Sequence, residues 1–116
     1  MSGDRRIAGS AAEDGAVQFV RELGWTVLRR RYKARSGEID IIALDQDCLV
    51  FVEVKSTKLT GVDPVAAVGA QKQRRMVLAA AQFIAESDLD PVEVRYDIIA
   101  VTPSGFKLHE SAFTAS

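Results

Sequence analysis

The chain has one cysteine, one histidine and three prolines among 116 residues, and its net charge is only −1. A lone cysteine excludes an intramolecular disulfide, which makes a reducing cytoplasm the expected compartment. With Cys48 and His109 the only residues of their kind, a zinc site of the common Cys/His type is excluded too. No apolar run reaches membrane-spanning length, and residues 1–9 lack the pattern of a secretory signal. The near-zero net charge argues against a surface that binds nucleic acid indiscriminately. Any affinity for phosphate must come from a local concentration of cations.

What is present is ordinary for a globular protein: 47% hydrophobic and 27% charged residues. The length suits one core and not two. Residues 1–9 are polar and are expected to form a flexible lead, with a single domain over 10–116. The most informative stretch is 37–56, GEIDIIALDQDCLVFVEVKS. It reads as two β-runs, 38–44 and 48–56, joined by the polar link Asp45-Gln46-Asp47. The second run is apolar on both faces and so predicts a central strand. Glu53 nevertheless sits inside it, with Lys55 two residues on.

A tight hairpin with a two- or four-residue loop sets Leu44 opposite Leu49, Ile42 opposite Phe51, Asp40 opposite Glu53 and Glu38 opposite Lys55. Alternation then places all eight side chains on one face. A three-residue loop or a bulge would shift that register. Two carboxylates across a ladder lie roughly 5 Å apart, where like charges destabilise. At an effective dielectric of about 20 their repulsion is about 3 kcal/mol. A divalent cation shared by Asp40 and Glu53 supplies the missing compensation. Beside that pair Lys55 reads as a catalytic cation, or more plainly as a cross-strand partner of Glu38.

Asp40 followed by Glu53-Val54-Lys55 at the end of an apolar strand resembles the metal-binding signature of the PD-(D/E)XK nuclease superfamily. The longer hairpin, the upstream AAEDGAVQFVRELGW and the downstream KQRR resemble the YraN-like family of small bacterial proteins, over about residues 11–101. Ile39 stands where many superfamily members have proline, and Gln46 where the family usually has glycine. The resemblance implies an α/β fold, a restriction endonuclease-like αβββαβ core whose mixed sheet carries packed helices, as in archaeal Holliday junction resolvases. It also implies a metal-dependent endonuclease acting on DNA, on branched or structured DNA in particular, and a homodimer for cutting paired strands.

Along the chain, Ser10-Ala11-Ala12-Glu13 fits a capping box opening a helix that ends at Gly24, with Ala16, Val17, Val20 and Leu23 inward. Glu13 is then a capping carboxylate; by resemblance it is also the glutamate that completes the metal site. Residues 25–32 predict a strand leading into Arg29, Arg30, Arg31, Lys33 and Arg35, five cations within seven residues. These form either a charged edge that deters strand pairing or a patch that delivers a phosphate backbone to the carboxylates. Residues 57–63, with Lys58 and Gly61, read as a polar loop. Asp63-Pro64 opens a short helical turn, and a longer helix spans 70–86 with Met76, Val77, Ala80, Phe83 and Ile84 inward.

Residues 94–101 predict a strand parallel to the Glu53 strand through a right-handed crossover, and 106–109 a short last strand. The crossover helix would then start beside the carboxyl end of the Glu53 strand, bringing Gln73 and Lys72 near the carboxylates and a favourable dipole to a phosphate. Relatives often carry a glutamine there. Lys72, Arg74 and Arg75 read equally as phosphate contacts or as an exposed face. Asp97, in phase with Arg95, reads as a salt-bridge partner. The expected chemistry is phosphodiester hydrolysis with Mg²⁺ or Mn²⁺ on Asp40, Glu53, the Val54 carbonyl and Glu13, with one or two ions. Two other readings remain at this point. One is a catalytically weak nucleic-acid-binding module acting with a partner protein, its carboxylates holding a structural ion. The other is a protein-interaction adaptor independent of metal and nucleic acid.

Overall fold

The computed structural model of the protein describes residues 2–56, 63–91 and 93–115. The loop expected at 57–63 lies almost wholly outside them. Five strands form one sheet in the order β1-β2-β3-β4-β5: β1 (Thr26–Ala34), β2 (Gly37–Asp45), β3 (Cys48–Ser56), β4 (Glu93–Thr102) and β5 (Gly105–Phe113). Helix α1 (Ser2–Glu22) covers one face, α3 (Ala70–Glu86) the other, and the single turn α2 (Pro64–Ala67) precedes α3. This is the mixed α/β arrangement that the sequence implies. Only β3 and β4 run parallel, joined by the crossover through α3; the remaining pairs are antiparallel. Among the described residues, no helix is long and apolar enough to cross a membrane.

β3 lies at the middle of the sheet, and its first six residues are buried. That is the consequence of its continuous apolar run, since only a strand covered on both faces hides both sets of side chains. One core lies under α1, where Val17 and Val20 meet Ile41, Val50 and Val52. The other lies under α3, where Ala79, Ala80 and Phe83 meet Ile42, Leu49 and Phe51. Leu23, expected on the α1 stripe, is 51% exposed. The helix stops at Glu22, just before it: Gly24 takes φ 95°, Gly24 N–H donates to Arg21 O at 2.9 Å, and Trp25 N–H donates to Val20 O at 3.1 Å. Those are the two closing bonds of a Schellman end, which a left-handed glycine makes available.

Four expectations need correction. Helix α1 begins at Ser2, so the helix start expected at Ser10 lies inside it. The basic run belongs to β1, which extends to Ala34, and the last strand runs the full length of β5. The hairpin has the expected register, with Ile42 opposite Phe51, Leu44 opposite Leu49, and a two-residue turn between Asp45 and Cys48. That ladder, however, ends at Ile41 opposite Val52. Beyond it the alternation breaks: Ile41 joins the α1 core while Ile39, two residues away, joins the α3 core. The facing strand β1 is distorted as well, Arg31 having φ 51°. Asp40 sits at the break. Neither Asp40 and Glu53 nor Glu38 and Lys55 are ladder partners, and the eight side chains do not share one face.

Candidate active site

The break in β2 has a local cause. Asp40 Oδ2 accepts the Val54 backbone N–H at 2.8 Å, so a side chain replaces the next rung of the ladder. The two strands therefore part just where Glu53 lies on β3. Asp40 is left beside Glu53 near the end of the sheet, between the starts of α3 and the acidic part of α1. Burial, and after it the charge of Glu53, push the Asp40 carboxyl up to about 7. A half-buried carboxylate beside a buried one is electrostatically costly, and Lys72 offsets part of the cost: its Nζ lies 2.6 Å from Glu53 Oε1.

Two clefts flank the pair. One, of about 420 Å³, is lined by Ser36, Gly37, Glu38, Asp40, Lys72, Arg75 and Met76. The other, of about 300 Å³, is lined by Ala12, Glu13, Arg31, Glu38, Asp40, Glu53, Val54 and Ser56. Asp40 and Glu38 belong to both, so the clefts meet over the broken ladder. The wall between β2 and α3 is fixed by the β1–β2 turn, where Ser36 Oγ donates to Arg75 O at 3.0 Å and Arg35 N–H donates to Gln82 Oε1 at 3.0 Å.

Residues 12–101 match the model of UPF0102, an uncharacterised protein family. The chain is 39% identical over 102 residues to the UPF0102 protein of Desulforapulum autotrophicum, covering 87% of this chain and 84% of that one. It is 40% identical over 104 residues to that of Myxococcus xanthus, covering 88% and 82%, and 35% identical over 108 residues to that of Persephonella marina, covering 92% and 93%. The chain belongs to the UPF0102 family. This is the YraN-like group with the PD-(D/E)XK-like fold that the hairpin resembles.

In this UPF0102 protein the expected site residues divide into three sets. Asp40, Glu53 and Val54 come together, and Lys72 and Arg75 face them across the larger cleft. Glu13 also faces them, but from α1 and with its oxygens engaged: Oε1 accepts from Arg30 Nε at 3.2 Å and Oε2 from Arg31 Nε at 2.9 Å. Arg30 also pairs with Asp14, and Arg29 lies over the Tyr32 ring at 5.2 Å. Three of the five cations of the basic run are thus already engaged, while Lys33 and Arg35 are exposed. Lys55 is exposed near the end of β3 and lines neither cleft.

Gln73 is not brought to the carboxylates. Its Nε2 donates to Val68 O at 2.8 Å, and its side chain lines a different cleft with Arg74, Val77 and Leu78. Of Lys72 and Gln73, both of which the sequence places near the carboxylates, only Lys72 reaches them, as the ion-pair partner of Glu53. Periodicity does not separate the two: Lys72 lies four residues before Met76 and seven before Ala79, and Gln73 three before Met76 and seven before Ala80, all buried on α3. Asp97 is the expected ion-pair residue: it is wholly buried, accepts from Arg95 Nε at 3.0 Å and from Ser111 N–H at 2.9 Å.

The donors fit a hard divalent cation in kind, being oxygens on a rigid strand pair. Among the described residues no three acidic, histidine or cysteine side chains converge to enclose an ion. Two carboxylates suit Mg²⁺, which keeps several waters and is commonly held by one or two carboxylates. Glu13, whose oxygens accept from Arg30 and Arg31, lines the smaller cleft with Asp40 and Glu53.

Proposed function

We propose that this protein is a metal-dependent endodeoxyribonuclease that hydrolyses phosphodiester bonds in branched or otherwise structured DNA. The observation that carries the reading is the half-buried Asp40 beside the buried Glu53 at a broken ladder, with Lys72 on Glu53 and Arg75 lining the adjoining cleft. A purely structural carboxylate pair gains nothing from such crowding. A pair that receives a cation does, because the cation removes the repulsion and the desolvation penalty together.

Bound there, Mg²⁺ or Mn²⁺ would supply Lewis acidity toward the scissile phosphate and lower the pKa of a water. Asp40 and Glu53 would hold it, with the Val54 carbonyl beside them. The Val54 N–H keeps Asp40 Oδ2 oriented and so fixes which oxygen is offered. Arg75, and Lys72 when not on Glu53, would bind phosphates along the larger cleft, with Lys33 and Arg35 extending that track. Lys55 shares a strand face with Glu53 by alternation and is the cation that would orient the attacking water or stabilise the developing charge. Cutting paired strands would call for a homodimer, and the free thiol of Cys48 supports a cytoplasmic setting.

The test is cleavage of linear, single-stranded, flapped and four-way DNA with Mg²⁺ or Mn²⁺, using the parent, Asp40→Asn and Lys55→Ala. Cleavage by the parent and its loss in both variants supports the proposal and identifies the preferred substrate. A parent that binds DNA without cutting it, and variants that behave the same way, would sink the catalytic claim and leave a binding module.

A further inference from the structure

The strongest feature not explained by the site itself is the ion pair on Glu53. Glu53 is buried, with 6% of its side chain exposed, whereas Lys72 is 47% exposed. The carboxylate cannot be left ionised and alone in such a place, yet the lysine that serves it stands half in water on the first turn of α3. The two partners thus differ in what binds them to each other. Glu53 is fixed by β3 and needs a cation, whereas Lys72 has a flexible stem and can be released into solvent at little cost.

Arg75 lies one turn further along α3 and lines the same cleft. A Lys72 ammonium lifted off Glu53 would therefore remain in the cleft beside a guanidinium, where a phosphate would arrive.

We propose that Lys72 is a built-in counter-ion that holds the place of the divalent cation on Glu53, is displaced when that cation binds, and is then redeployed with Arg75 onto a substrate phosphate. This rests on the metal half of the nuclease reading and adds an order of events, metal before DNA. The same positive charge serves in turn to stabilise the metal-free fold and to bind DNA. An ammonium at 2.6 Å from Glu53 Oε1 and a divalent ion on the same carboxylate repel each other. Occupancy of one therefore weakens the other.

Mn²⁺ affinity of the full chain without DNA, by calorimetric titration, tests the exchange in the parent, Lys72→Met and Glu53→Gln. Lys72→Met should bind Mn²⁺ about tenfold more tightly, the equivalent of roughly 1.4 kcal/mol, and Glu53→Gln should bind it weakly. With Ca²⁺ in place of Mn²⁺, Lys72→Met should bind DNA less well, with a salt dependence shallower by about one counter-ion. The parent supplies an arm that needs no variant: its Lys72 side-chain NMR signals should shift when Mg²⁺ is added. Unchanged or weaker Mn²⁺ binding in a folded Lys72→Met, or a Lys72 signal indifferent to saturating Mg²⁺, overturns the exchange and leaves Lys72 a structural partner. Failure of the parent and Lys72→Met alike to bind any divalent cation would instead overturn the metal site itself.

Discussion

Replacing Asp40 by asparagine should make the metal-free protein more stable, and the gain should depend on pH. The Asp40 carboxyl is raised from 3.8 to about 7, first by burial and then by the charge of Glu53. A carboxyl whose folded pKa lies above its unfolded value favours folding fully only below the unfolded pKa, and loses that contribution as pH rises through the folded one. Between about pH 4 and pH 7 the unfolded chain therefore gives up a proton that the folded protein keeps. At about 1.4 kcal/mol per pH unit, the whole interval corresponds to about 4 kcal/mol. Clefts open to water on both sides of the carboxylate reduce this, so about 1–3 kcal/mol is expected. Asparagine can still accept the Val54 N–H, so the substitution removes charge and leaves the hydrogen bond in place. Urea denaturation without divalent ions at pH 4, 6 and 8 should show Asp40→Asn exceeding the parent by that amount at pH 8, and by little at pH 4. Saturating Mg²⁺ should narrow or reverse the order, since a ligand at a hundred times its Kd stabilises the protein that binds it by about 2.7 kcal/mol. A variant less stable than the parent at pH 8, or a difference that does not change with pH, would refute the claim that this pair is strained.

Two further substitutions test the framework around the site. A Cβ at Gly15 would press on the edge of the Phe106 ring, the far end of a 37% exposed side chain that stacks on Phe19 at 5.7 Å. Gly15→Ala should therefore gain less in the parent than in a Phe106→Ala background, where it should stabilise by about 1 kcal/mol, the helix preference of alanine over glycine; a double-mutant cycle by thermal melting that shows no coupling would remove the contact. Asp97→Ala takes one carboxylate from Arg95, which keeps Asp45 Oδ2 at 3.1 Å, and orphans the Ser111 N–H. It should cost about 1–3 kcal/mol in denaturant titrations, the range for a lost hydrogen bond to a charged group, and a loss under about 0.5 kcal/mol would show that Asp45 alone compensates Arg95.

What could be read from the sequence was local. The run 48–56 declared a central strand because only double coverage hides consecutive apolar residues, and the two-residue turn fixed the register of Ile42 and Leu44 against their partners. The bounds of α3 and the parallel crossover followed from periodicity and handedness. What could not be read depends on contacts distant in sequence. The break at Asp40 arises from its bond to the Val54 N–H, and no pattern within β2 marks it. The capture of Arg30 and Arg31 by Glu13 joins residues seventeen and eighteen positions apart. The choice between Lys72 and Gln73 is made by partners too: Gln73 Nε2 is taken by Val68 O, while Lys72 Nζ reaches Glu53, nineteen residues away on β3.

These long-range contacts also relocate the positive charge. In the sequence the basic run 29–35 stands out as the natural phosphate track. In the folded chain Arg30 and Arg31 neutralise Glu13 and Asp14, and Arg29 lies on Tyr32, so that stretch fastens β1 to α1. The cations beside the larger cleft are Lys72 and Arg75, with Arg35 on the turn tied to α3. A phosphate approaching Asp40 and Glu53 therefore meets its field from the α3 side, which is also the side of the helix N-terminus. On the α1 side it meets Glu13, an anion that keeps its charge compensated only while the arginines stay. If the protein binds DNA as proposed, this charge distribution predicts a backbone that enters over α3 and the β1–β2 turn and not one laid along β1.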